Sequence, residues 1–287
     1  TKTAGDNDFT ITVKYYKNVT LTAKSDTKTY NGEEQALEGY TPSDDAAEFD
    51  GVTAKGSGTD AGEYEVKFNK DYTGAVSKDS KYIVSGTTPG KLTISPIAKE
   101  LVITITGHKG GEKYKGTEQT VKGYDVSGLP KGATENDVLY DGTAEAKGTD
   151  AGSYSMNLDA TKFSLKESVA KNYSSVKFEV TDGNLTIAKR KVTLTSDSGN
   201  KKYDGTTITR RGVTVSGDGF VEGENVSQNY TWDDDNNILP GTYKNRFEYK
   251  LKKGTNKDNY EIKTVFGDLV ISDREENDKL EIKVSSK

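Results

Sequence analysis

The sequence predicts an all-β protein: three tandem immunoglobulin-like antiparallel β-sandwich domains in an elongated array. Three observations carry that expectation. Short segments alternate apolar and polar residues with period two, the mark of half-buried strands. A set of aromatic and glycine landmarks recurs three times in the same order. Long amphipathic helical patterns are missing, the nearest being Ser164 to Lys171, which is short enough to be a loop.

The first landmark is Tyr30-Asn31-Gly32, then Tyr114-Lys115-Gly116 and Tyr203-Asp204-Gly205, at intervals of 84 and 89 residues. Each follows an alternating apolar start, Val19 with Leu21, Ile103 with Ile105, and Val192 with Leu194. The second is Gly58-Thr59-Asp60-Ala61-Gly62-Glu63-Tyr64, repeated as Gly148 to Tyr154 and, loosely, as Leu239-Pro240-Gly241-Thr242-Tyr243. Each copy closes on Gly90-Lys91-Leu92-Thr93-Ile94 or its equivalents Gly183 to Ile187 and Gly267 to Ile271.

These landmarks set copies at residues 17–98, 99–190 and 191–273. Residues 1–16, with Asp8 to Ile11, fall in the slot of a closing strand from a preceding copy. Residues 274–287, with Leu280 to Val284, resemble the opening strand of a following copy or a linker. The junctions Ser95 to Lys99 and Ala188 to Lys191 are short and charged rather than Gly/Ser-rich, which restricts the angles between neighbours and favours a semi-rigid rod.

Within each copy the strand after the second landmark alternates: Tyr64, Val66 and Phe68, then Tyr154, Met156 and Leu158, then Tyr243, Phe247 and Tyr249. In immunoglobulin-like sandwiches a tyrosine near the start of a late strand turns its hydroxyl onto the backbone of the preceding corner. Tyr64, Tyr154 and Tyr243 fit that role. Six to eight short strands per copy follow from the count, with a β-grasp-like domain as the alternative topology. The Tyr-x-Gly landmark reads as a turn, in which Asn31 and Asp204 are well suited and Lys115 is less typical. Its tyrosines, Tyr30, Tyr114 and Tyr203, are expected to pack within the domains, with sugar stacking as the alternative role.

Composition agrees with several thin cores rather than one large interior. Apolar residues make up 31% of the 287 residues and charged residues 30%; mean hydropathy is −0.79. The 17 tyrosines and 8 phenylalanines, in regular alternation, set the chain apart from a solvated coil. Forty basic residues are scattered among 45 acidic ones for a net charge of −5, with no basic stripe, so nucleic acid is not an expected partner. No apolar run approaches the ~20 residues that cross a bilayer. Membrane insertion is therefore not expected. The first twenty residues lack a signal-peptide pattern, so any export or anchoring signal is expected outside this stretch. Cysteine is absent, which excludes disulfides and thiol chemistry.

The three ordered landmarks resemble the bacterial MBG-type repeat, also called the YDG or YGX type, found in tandem in surface adhesins and mucus-binding proteins. Tyr203-Asp204-Gly205 carries the name motif literally, and the likeness spans residues 17–273. The resemblance implies a bacterial cell-surface, extracellular protein, wall-anchored through other regions, with a stalk or adhesion role. It transfers no ligand-contacting residue, and Leu239-Pro240 in place of Asp-Ala departs from the other two copies.

Catalytic chemistry finds little footing. His108 is the only histidine, set in the loop-like Gly107-His108-Lys109-Gly110-Gly111 with no Gly-x-Ser-x-Gly signature. No enzyme is expected, and no cofactor beyond a weak calcium candidate. Asp233, Asp235 and Asn237 have the every-second-residue spacing of a calcium loop, but Ile238 and Lys244 stand where such loops carry Gly and Glu. A solvated loop is the plainer reading. A Lys to Asn or Asp isopeptide crosslink is the other chemistry considered, with Asn184 and Asp268 preceding closing strands. The expected function is a non-catalytic stalk that projects a binding tip, held monomeric and in contact with adjacent repeats of the same chain. The alternatives are direct binding of host glycoprotein or glycan, with Trp232 as a speculative contact, and an accessory module of a secreted polysaccharide-acting enzyme.

Overall fold

A computed structural model describes residues 12–233, 237–275 and 283–285. The all-β class stands. Copy one supplies β1 (Lys17–Ala23), β2 (Asp26–Thr29), β3 (Gln35–Glu38), β4 (Tyr40–Pro42), β5 (Ala54–Gly58), β6 (Gly62–Phe68), β7 (Tyr82–Thr88) and β8 (Gly90–Ser95). They form two sheets, β4-β1-β7 and β2-β8-β6-β5-β3. The long opening and closing strands run through both, breaking near Lys24 and at Pro89, so each copy has a leading half and a trailing half. In β1, Val19, Leu21 and Ala23 are buried and alternate with exposed residues, as period two requires. Val19 and Leu21 join Ala47, Phe49 and Val84 in the leading core. Ala23 joins Ala54, Val66, Leu92 and Ile94 in the trailing core.

Copy two supplies β9 (Leu101–Gly107), β10 (Lys109–Gly110), β11 (Gln119–Lys122), β12 (Tyr124–Ser127), β13 (Val138–Tyr140), β14 (Glu145–Gly148), β15 (Gly152–Ser155), β16 (Phe163–Leu165), β17 (Val176–Thr181) and β18 (Asn184–Ile187). Its sheets are β12-β9-β17, β13-β16, β11-β14 and β10-β18-β15. A one-turn helix, α1 (Glu167–Ala170), lies inside the stretch read as the nearest helical candidate, while Ser164 and Leu165 belong to β16. Copy three supplies β19 (Arg190–Ser196), β20 (Gly199–Lys202), β21 (Val213–Gly217), β22 (Thr231–Trp232), β23 (Gly241–Lys244), β24 (Phe247–Glu248), β25 (Tyr260–Val265) and β26 (Asp268–Ser272). Its sheets are β21-β19-β25, β20-β26-β23 and β22-β24.

One expectation needs correction: pairing is mixed rather than wholly antiparallel. The opening strand of a copy runs parallel to its closing strand, with β1 beside β7 and β2 beside β8 in copy one. Copy three repeats this with β19 beside β25 and β20 beside β26, and copy two pairs β10 with β18 in the same sense. Other partners are antiparallel, among them β1 with β4 and β6 with β8. The misreading has a physical reason. Side chains alternate with period two in both kinds of sheet, so the pattern is blind to strand direction. The intervening strands of each copy supply the long crossover that parallel neighbours need.

The chain resolves into two compact units. Of the described residues, one takes in those up to Ile105 together with Val126–Asp141 and Asp159–Glu179; the other comprises Thr106–Asp125, Gly142–Leu158 and those from Val180 onward. Within the second unit a single buried cluster joins Tyr114, Ala146, Met156, Leu185 and Ile187 of copy two to Val192, Leu194, Val226, Phe247 and Tyr260 of copy three. The expectation of a separate core in each copy therefore fails across residue 190, because the trailing half of one copy buries its apolar side chains against the leading half of the next. Small cores do persist elsewhere, as in Ile208, Leu269 and Ile271 of the trailing half of copy three. Asp8 to Ile11 and Leu280 to Ile282, read as strands of neighbouring copies, lie outside the described residues; Lys283 and Val284 are described without strand structure.

Candidate functional site: the junction between successive copies

The Asp-Ala-Gly-x-Tyr corner forms because the tyrosine closes it. Tyr64, Tyr154 and Tyr243 each donate their hydroxyl to the carbonyl four residues upstream, Asp60, Asp150 and Leu239, at 2.9 Å in all three copies. The ring then lies on the backbone of the residue that opens the corner. A Cβ at Gly58 or Gly148 would come within 2.2 or 2.3 Å of that ring, which is why glycine stands there. Asn237 occupies the same slot in copy three and is buried.

That corner presents two groups outward, a carboxylate and the next backbone N–H, and in copies one and two a single asparagine of the following copy engages both. Asn172 is 2% exposed. Its Oδ1 accepts from the Ala61 N–H at 2.6 Å, and its Nδ2 donates to Asp60 Oδ1 at 3.1 Å. Lys171 adds an ion pair to the other oxygen of Asp60 at 3.1 Å. Asn172 and then Lys171 hold the Asp60 carboxyl below the usual carboxylate range. Asn259, 0% exposed, repeats the arrangement: Ala151 N–H donates to its Oδ1 at 2.7 Å, and its Nδ2 donates to Asp150 at 2.8 Å. A carboxamide suits the task because it offers a donor and an acceptor side by side.

The residue after each asparagine completes the junction. Tyr173 meets Tyr30 edge-on with ring centroids 6.1 Å apart, and Tyr260 meets Tyr114 edge-on at 5.7 Å, a favoured aromatic arrangement. Thus the Tyr-x-Gly landmark of one copy packs against the Asn-Tyr pair of the next. The turn itself is left-handed at its glycine, with φ of +79° at Gly32, +74° at Gly116 and +78° at Gly205, a region that glycine enters without steric cost. At the second junction the Tyr114 hydroxyl also donates a very short bond to Glu224, and the Arg190 guanidinium donates to the carbonyls of Tyr114, Asp218 and Gly219. Burial pushes the Tyr260 phenol up to about 12 and that of Tyr114 higher still, so both stay protonated, Tyr260 accepting from the Val221 N–H.

The other sequence candidates are placed as follows. Trp232 sits in β22 opposite Phe247, packed against Tyr230 and Phe247 with the Arg211 guanidinium 5.1 Å from its ring centre. The metal candidate is divided: Asp233 donates its N–H to the Arg246 carbonyl, the buried Asn237 opens the corner, and Asp235 lies outside the described residues. Among the described residues no group of three or more His, Cys, Asp or Glu is arranged to hold a metal ion. Asn184 donates to Ser153, and Asp268 pairs with Lys244 at 2.7 Å with both side chains about half exposed, far from the apolar setting that amide formation between such groups favours. His108 has both ring nitrogens engaged, Nδ1 with the Lys122 carbonyl at 2.7 Å and Nε2 with Asp125 at 3.1 Å, leaving neither turned toward a nucleophile.

Sequence reasoning passed over Asn172, Tyr173, Asn259, Tyr260 and Glu224. The signal was there in part: the dipeptide Asn-Tyr stands just ahead of the closing strand in copy two, at 172–173, and runs into it in copy three, at 259–260. Comparison with protein-family models, curated proteins and solved structures finds no match for this chain.

Proposed function

We propose that the chain is a load-bearing, non-catalytic segment of a bacterial cell-surface protein of the MBG-type repeat kind, carrying tension between an anchored end and a binding tip. The observation that supports this most directly is the parallel pairing of the first and last strands of a copy, β1 with β7, β2 with β8, β19 with β25 and β20 with β26. Tension applied through the two ends of a copy pulls adjacent parallel strands in opposite directions along their length. Their hydrogen bonds are then loaded together in shear, whereas an antiparallel hairpin at the ends would open one bond at a time.

The junction adds to this reading. In repeat proteins stability is the sum of each repeat's own contribution and its interface with a neighbour. The Asn clasp and the tyrosine pair make that interface specific at both junctions. A stalk needs no more chemistry than this.

Single-molecule pulling of the chain tests the proposal. Load-bearing copies unfold in discrete high-force steps, and a proline in β7 at Ser85, which removes a strand N–H, lowers the force of one step. Featureless low-force extension of the unaltered chain refutes it. In parallel, the chain is screened against mucin and a glycan panel. The stalk reading expects no saturable binding, and saturable binding by this segment would support direct glycan recognition instead.

A further inference from the structure

Each clasp has two halves, an Asp-Ala corner at the trailing end of one copy and an Asn-Tyr edge at the leading end of the next. The leading edge of copy one and the trailing corner of copy three carry neither. Lys81-Tyr82 takes the Asn-Tyr slot of copy one: the Lys81 carbonyl accepts from the Lys17 N–H as the Asn172 carbonyl accepts from Ile97. Tyr82 pairs with Lys17 as Tyr260 pairs with Arg190. The Lys81 side chain is 75% exposed.

At the other end, Leu239-Pro240 replaces Asp-Ala while the corner itself is kept, with Tyr243 still bonded to the Leu239 carbonyl. Both groups that an asparagine would read are removed. Proline has no N–H to donate to Oδ1. Leu239, 64% exposed, stands where the carboxylate accepted from Nδ2. The rest of this trailing end follows the pattern of a covered one. Tyr203 donates its N–H to Ser272 as Tyr114 does to Ala188, and Arg274 donates to the Tyr203 carbonyl as Arg190 does to that of Tyr114.

We infer that the Leu239-Pro240 corner is a specificity boundary: it receives a following domain of the same fold whose contact side chain is apolar, and it rejects an Asn-Tyr edge. An asparagine docked there would lose water and gain no partner, whereas an apolar side chain would cover Leu239 and Pro240. The inference rests on the reading of Asn172 and Asn259 as the junction clasp.

The test turns the leading edge of a second molecule into the probe. K81L gives the full chain an apolar edge and K81N an Asn-Tyr edge, and each is made with the natural corner and with L239D/P240A. All the substitutions fall on exposed residues, and L239D alone with the natural proline serves as a second corner. Self-association is measured by sedimentation velocity up to about 1 mM, the range of effective concentrations that short linkers provide. With the natural corner, K81L is expected to associate about tenfold more tightly than K81N, and the Asp-bearing corners reverse the order. Equal association of K81L and K81N, an order that does not reverse, or no association by any folded variant overturns the inference. Loss of the clasp reading itself is seen separately, as an unchanged stability on replacing Asn259 in the chain with its natural ends.

Discussion

Replacing Asn259 with alanine removes one side chain and unmakes two hydrogen bonds at a fully buried position. The Ala151 N–H, held at 2.7 Å, loses its acceptor, and Asp150 Oδ1, held at 2.8 Å, loses a donor. A neutral hydrogen bond contributes about 0.5–1.5 kcal/mol net and one to a charged group about 1.5–3 kcal/mol. Asp150 is exposed and Ala151 half-buried, so water recovers part of both, and the low ends of these ranges apply. The expected loss is about 2 kcal/mol. Trp232 is the only tryptophan and lies in the same compact unit as Asn259, so its fluorescence during urea unfolding reports the change. Hydrogen exchange gives a residue-level check: if the Ala151 amide exchanges through opening of this contact, its protection falls by about thirtyfold, at 1.4 kcal/mol per factor of ten. A loss below about 0.5 kcal/mol with the Ala151 amide still protected would refute the assignment of the clasp, because the error of such bookkeeping is typically a few tenths and the amide reports the contact independently.

Three further expectations follow from the corner and its surroundings. Tyr154→Phe leaves the Asp150 carbonyl without its 2.9 Å donor and should cost about 1 kcal/mol in urea unfolding; no change would mean that the hydroxyl is idle. Gly148→Ala drives a methyl group to 2.3 Å from the Tyr154 ring, an overpacking worth about 1–3 kcal/mol, and an alanine variant as stable as the parent contradicts that geometry. Asp125, and after it the Lys122 carbonyl, raise the His108 pKa above an unperturbed value of about 6.5. Because the folded value lies above the unfolded one, the stabilisation is complete below about pH 6.5 and is lost as pH rises through the raised folded value. NMR titration of the ring should place its midpoint above that reference, with His108→Gln abolishing the dependence of stability on this group; a midpoint at or below the reference rules the interaction out.

The tyrosine corner shows how far local pattern reaches. Tyr64, Tyr154 and Tyr243 could be assigned from the chain because the partner carbonyl lies only four residues away, so spacing alone brings the two together. The turns at Gly32, Gly116 and Gly205 were legible for the same reason, since a left-handed residue favours glycine whatever surrounds it. Asn172 and Asn259 were not legible. Their partners stand 111 and 108 residues away for the backbone N–H bonds, and a buried asparagine and an exposed one look alike in a sequence.

What the amino-acid sequence determined by itself is therefore the local and periodic content of this protein: strands, corners, turns and the threefold recurrence of landmarks. Each of these depends on interactions between near neighbours or on side-chain alternation. Only the tertiary structure decided that opening and closing strands run parallel, that the core passes from Ile187 to Val192 without interruption, and that an asparagine joins each of two copies to the one before it. Those features arise from contacts between distant segments, where direction and burial are set by what packs on either side rather than by the residues in between.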